Sequence, residues 1–170
     1  MKYMFKKLLF SLLAVLMIYS SAAMIYRIFE PQLDTNEQKD LTYVEYSTLS
    51  DYILSHGEAS IHIVFFCSLK DADSLYLKDT VLSTVQSDTG LPVSQILEVV
   101  DVSTAGNDIN ARLLRDWGVG AIPSFVSVGV ANGQCIVHDR LEWTQDAPLK
   151  ARQIEDWLEA NGFRTRNTSY

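Results

Sequence analysis

The chain has 170 residues, 48 % of them apolar and 21 % charged. That admits one domain with a core plus an extension, and excludes two ordinary domains or a chain disordered by composition. The net charge is −7, but residues 1–27 hold four of the 14 basic side chains and no acid, so the remainder sets 10 basic residues against 21 acidic ones. A surface that acidic repels nucleic acid and anionic lipid headgroups.

The first element in the chain is a membrane signal. Lys2, Lys6 and Lys7 precede residues 8–26, a run of 19 without a charge. A helix rises about 1.5 Å per residue, so roughly 20 residues cross the hydrocarbon core. Lysines in front and acids behind place the N-terminus in the cytoplasm and the rest outside. A cleavable signal peptide is the alternative, with residues 8–19 as its apolar core and Ser21-Ala22-Ala23 as the cleavage site. The apolar run continues through Met24, Ile25 and Tyr26, which favours a retained single-pass anchor. The expected organisation is an anchor over residues 1–27, a polar linker over 28–40, an extracytoplasmic domain over 41–164 and a tail over 165–170. In that tail Asn167-Thr168-Ser169 matches a glycosylation acceptor.

Residues 42–46 alternate and are aromatic, which predicts a short strand. Ser47 or Thr48 caps a short helix over 49–55, closed by His56-Gly57. Residues 61–67, I-H-I-V-F-F-C, read as a central strand covered on both faces. A helix follows over about 73–86, with Leu77, Val81 and Val85 spaced by four and Leu82 beside them. Residues 96–102 form a second buried strand. A further helix is capped at Gly106-Asn107-Asp108, faces inward through Ile109, Leu113, Leu114 and Trp117, and ends at Gly118. Residues 124–130 and 135–138 pair as a hairpin around Ala131-Asn132-Gly133. A last helix over 148–161 buries Ala151, Ile154, Trp157 and Leu158, with Gly162 at C′ and Phe163 folding back. The order β-α-β-α-β-α-β-β-α predicts an α/β fold, a mixed sheet with helices on both faces.

The stretch R-D-W-G-V-G-A-I-P-S-F-V-S-V, residues 115–128, resembles the cis-proline signature of the thioredoxin superfamily. Trp117 and Gly118 stand where a helix ends in an aromatic residue and glycine. Val119, Ile122, Pro123, Ser124 and Phe125 stand at the following apolar, cis-proline and strand positions. The resemblance covers residues 41 to about 163 and implies a thioredoxin-like fold. It also implies a cis bond before Pro123, and a peptide-binding groove lined by Gly120, Ala121, Ile122 and Pro123. The alternative is an ordinary trans turn at Ile122-Pro123.

The same resemblance exposes a departure. The family works through C-x-x-C at the start of the helix after the central strand, and the matching slot here is Lys70-Asp71-Ala72-Asp73. The buried carboxylate that the family keeps on the strand corresponds to Val64. Asp71 or Asp73 can accept from the free N–H groups of the helix start, which fills the place an anionic sulfur would take. Cys67 lies at a strand position three residues before the slot, and its apolar neighbours point to a buried filler. Cys135, the second of the two cysteines, falls at the far end of the hairpin, roughly 20 Å away at about 3.3 Å per residue, too far for a disulfide. His56, His62 and His138 show no metal spacing, so neither metal nor cofactor is expected. The function expected is a redox-inactive, membrane-tethered accessory or scaffold that binds a protein or peptide in the cell envelope. The alternatives are a thiol-disulfide oxidoreductase using Cys67 alone, and a bacteriocin or secretion accessory protein.

Overall fold

A computed structural model describes residues 41–163 apart from Ala59. The anchor, the linker and the tail with its Asn167 acceptor lie outside the described residues. Among the described residues no helix is long and apolar enough to cross a membrane.

The strands are β1 (Thr42–Tyr43), β2 (Ile61–Cys67), β3 (Leu97–Asp101), β4 (Ser124–Ala131) and β5 (Gln134–Glu142). They form one sheet in the order β1-β3-β2-β4-β5, with β1, β3 and β2 parallel and β4 and β5 antiparallel. This is the mixed, thioredoxin-like sheet that the element order and the resemblance predicted. Its centre, β2, is buried at every position but the first, as a strand with helices on both faces must be. The expected strand over 42–46 is cut to two residues, because a 3-10 turn at Tyr46–Thr48 leads directly into helix α1 (Leu49–Ser55).

Residue parity along β2 divides the core in two. Ile63, Phe65 and Cys67 face one layer together with Phe125, Trp143, Ile154, Trp157 and Leu158. Phe65 and Phe125 are cross-strand partners and their rings stack at 4.8 Å. Val64 and Phe66 face the other layer, against α1 and helix α5 (Ile109–Trp117). Leu114 departs from the expected inner face of α5: it is 60 % exposed. Leu113 and Trp117, four residues apart, take the buried stripe, and Leu114 lies one helical step of about 100° from Leu113.

The helix after β2 is longer than its spacing indicated and is not uniform. It comprises α2 (Ala72–Tyr76), a π-helical turn (Leu77–Val81) and α3 (Leu82–Thr89), closed by Gly90 at φ 65°. The wider turn keeps Leu77, Val81, Leu82 and Val85 all buried. Ser83 and Thr84 donate their hydroxyls to the carbonyls of Asp79 and Thr80, the back-bonding that loosens a helix locally. A short helix, α4 (Val93–Ile96), precedes β3. The hairpin turns at Asn132 and Gly133, both at positive φ, as a two-residue turn between twisted strands requires. Helix α6 (Ala151–Ala160) ends as expected: Gly162 and Phe163 donate to the carbonyls of Glu159 and Leu158, the doubly bonded left-handed cap.

Candidate functional site

β2 delivers Cys67 to the end of the sheet where β3 also ends, opposite Asp101 in the parallel register. The side chain is fully buried against the layer that includes Leu77 and Phe125. Burial, and after it the charge of Asp101, push the thiol up to about 12, and the Lys78 ammonium works only partly against them. A thiol attacks as thiolate, the form this environment disfavours. Cys135 is also a free thiol, on β5 opposite Val130, with its Sγ 3.7 Å from the Ser50 carbonyl.

Beyond Cys67 the chain passes through Ser68 and Leu69 into the slot. Asp71 is the N-cap of α2, and its Oδ2 accepts from the Ser74 N–H at 2.8 Å. Ser74, itself buried, accepts from the Ser68 N–H at 3.2 Å. The helix start is therefore capped by a carboxylate, and a hydroxyl of its first turn ties down the preceding loop. Lys70 leans away from it, donating to the Ser103 carbonyl at 3.3 Å. Asp73, two residues inside, carries no hydrogen bond or ion pair to another described side chain. Val64, at the position where the resemblance implies a carboxylate, is packed in the core.

A carboxylate does stand behind the slot, on a different strand. Asp101 Oδ1 accepts from the N–H groups of Leu69 and Ser103 at 3.1 and 2.9 Å, and Oδ2 accepts from the Ser103 hydroxyl at 2.9 Å. Burial disfavours the Asp101 charge, but the hydrogen bonds from Ser103 and Leu69 and the charge of Lys70 outweigh it and hold the carboxyl below its ordinary range. Asp101 thus ties the β2–α2 loop to the end of β3. The one sequence signal for it is an acid closing a largely apolar strand just before a polar loop.

The Ile122-Pro123 bond is cis. Ser124 opens β4 opposite Phe66, which sets Pro123 beside the end of β2 and the slot. Pro123 is buried, Ala121 and Ile122 are half-buried, and Gly120 is exposed. Three contacts from the end of β5 hold this loop. Trp143 N–H donates to the Pro123 carbonyl at 3.0 Å, Arg140 Nη1 donates to the Gly118 carbonyl at 2.6 Å, and Glu142 Oε2 accepts from the Gly120 N–H at 3.3 Å. Across from it Tyr76 of α2, 53 % exposed, meets the Trp143 ring edge to face with centroids 6.3 Å apart. The residues singled out from the sequence at 70–73 and 120–123 thus share one end of the sheet. Glu142, Trp143 and Tyr76 join them and were not legible from spacing.

A second polar cluster lies on β2 and β3 under α1. His62, 5 % exposed, is 2.8 Å through Nδ1 from Glu98 Oε1, and 3.1 Å through Nε2 from Ser60 Oγ. The His56 ring meets it edge to face at 4.9 Å. Among the described residues no group of three His, Cys, Asp or Glu side chains is placed to hold a metal.

No protein-family model matches the chain, and no curated protein is significantly similar to it in sequence. Solved structures with a similar fold include the thioredoxin of Trichomonas vaginalis, at 15 % identity and TM-score 0.46 over 71 % of this chain and 96 % of that one. A thioredoxin from Thermus thermophilus aligns at 20 % identity and TM-score 0.46, over 71 % of this chain and 86 % of the other. Mitochondrial thioredoxin 3 from Saccharomyces cerevisiae aligns at 12 % identity and TM-score 0.44, over 73 % and 98 %.

Proposed function

We propose that this chain, thioredoxin-like in fold, works as a redox-inactive binding module. The N-terminal segment tethers it to the outer side of the cell membrane, and a protein or peptide partner is held over the Gly120–Pro123 loop. The observation that carries the reading is the state of its sulfur. Cys67 is 0 % exposed, its thiol is pushed up to about 12 by burial first, and the slot beside it holds a lysine and two carboxylates. A dithiol exchange needs an accessible thiolate and a second sulfur to resolve the mixed disulfide. What remains at this end of the sheet is a loop with an exposed backbone at Gly120 and an exposed aromatic ring at Tyr76, features of a docking surface. The tether rests on the uncharged run of residues 8–26 between lysines and acids.

Insulin reduction with dithiothreitol tests the redox half. The expected result is turnover at the uncatalysed background, the same for wild type and Cys67→Ser. Turnover that Cys67→Ser abolishes refutes the reading in favour of a single-cysteine oxidoreductase. Extraction of membranes with carbonate tests the tether: release of the full chain into the soluble fraction refutes it.

A further inference from the structure

The surface around Pro123 carries mostly negative charge. On one side stand Asp71 and Asp73, on the other Glu142, with Asp146 exposed on the loop beyond. Asp101 adds a carboxylate behind the slot, its two oxygens fixed on the Leu69–Ser103 loop contacts. Three basic side chains reach this end: Lys70 and Arg140 turn their cationic heads onto the backbone carbonyls of Ser103 and Gly118, and Lys78, largely buried, pairs with Asp79 at 3.2 Å. The apolar part of the surface lies between: Tyr76 half in solvent over the buried Trp143 ring, and Ala121 and Ile122 half-buried. Glu142 is the least committed of the wall carboxylates that make a contact, since its single bond to the Gly120 N–H is long at 3.3 Å. Asp73 has no described side-chain partner and lies three residues before Tyr76, on the same side of α2.

Building on the binding-module reading, we propose that this groove selects an extended segment in which a lysine or arginine adjoins an apolar side chain. The apolar group seats against Tyr76 and Trp143, and Glu142 and Asp73, on the two walls, receive the cation. Glu142 is the residue that decides the choice. As it swings to the cation it releases the Gly120 N–H, which becomes a donor for the segment's own backbone. The attraction between rim charges works mostly through selection and encounter rate, so it weakens as salt shortens the screening length.

The test pans a phage-displayed random nonapeptide library against the full chain. The expected pool is enriched in lysine or arginine beside an apolar residue. Affinity of the selected segments falls about tenfold or more between low and high salt, and by a similar factor in the Glu142→Gln/Asp73→Asn variant. It is unchanged in Glu159→Gln, an exposed acid on α6 outside the groove. The Glu142→Lys/Asp73→Lys variant selects acidic segments instead. A pool with no preference for basic residues refutes the inference, as does binding that the carboxamide variant leaves intact. If such binding is still lost in Tyr76→Ala, the binding-module reading stands without it. If the library yields no segment whose capture depends on Tyr76, both fall.

Discussion

Alkylation of Cys67 is where the reasoning is most exposed to refutation. A free thiol titrates near 8.5, so at pH 7.4 roughly 7 % of it is thiolate. Cys67, with its thiol at about 12, holds on the order of 0.003 % at the same pH. That difference alone slows reaction by roughly three orders of magnitude. Full burial slows it further, because the reagent must wait for β2 and α2 to part. The assay is a time course with iodoacetamide on Cys135→Ser protein, so that only Cys67 reports, followed by mass spectrometry. The folded chain is expected to alkylate at least a thousandfold more slowly than the same chain in guanidinium. Its rate climbs about tenfold per pH unit without levelling off near 9, where an exposed thiol would plateau. A folded-state rate within tenfold of the denatured one, or a plateau near neutral pH, would sink the picture of Cys67 as buried and protonated.

Three further outcomes follow from contacts described above. His62→Ala leaves the Glu98 carboxylate, 14 % exposed, with neither oxygen paired; denaturant unfolding is expected to show a loss of about 1–3 kcal/mol. Asp101→Ala removes the acceptor of three hydrogen bonds, and a loss of about 2–3 kcal/mol is expected at neutral pH. Because the Asp101 carboxyl is held below its ordinary range, its stabilisation is present above about pH 4 and fades as pH falls below that. The gap between wild type and the alanine variant should therefore narrow in acid, and a gap that widens there contradicts the assignment. At Gly118, φ 67°, an added Cβ would sit 1.8 Å from Arg140 Nη1. Thermal unfolding of Gly118→Ala should show a cost of about 1–2 kcal/mol for the left-handed backbone, reduced little by also replacing Arg140, whose flexible head can move aside.

The sequence by itself determined the layers of this protein. The I-H-I-V-F-F-C run specifies a strand buried on both faces because alternating apolar residues on each parity leave no face for water. The glycines at 118 and 162 mark helix ends because the left-handed conformation they adopt excludes most other residues. The degenerate slot was legible too, since the absence of sulfur at 70 and 73 needs no coordinates. Tertiary structure decided the rest. Local pattern cannot say that Leu114 points outward, because Leu113 and Leu114 are equally apolar and only the position of the sheet chooses between them. Nor can it say that Asp101 fixes the β2–α2 loop from 34 positions beyond Cys67, or that Glu142 and Trp143 return from β5 to Pro123. Those contacts join residues far apart in the chain, and their existence depends on strand register, which a sequence of this length leaves open until the hairpin and the parallel pairings close.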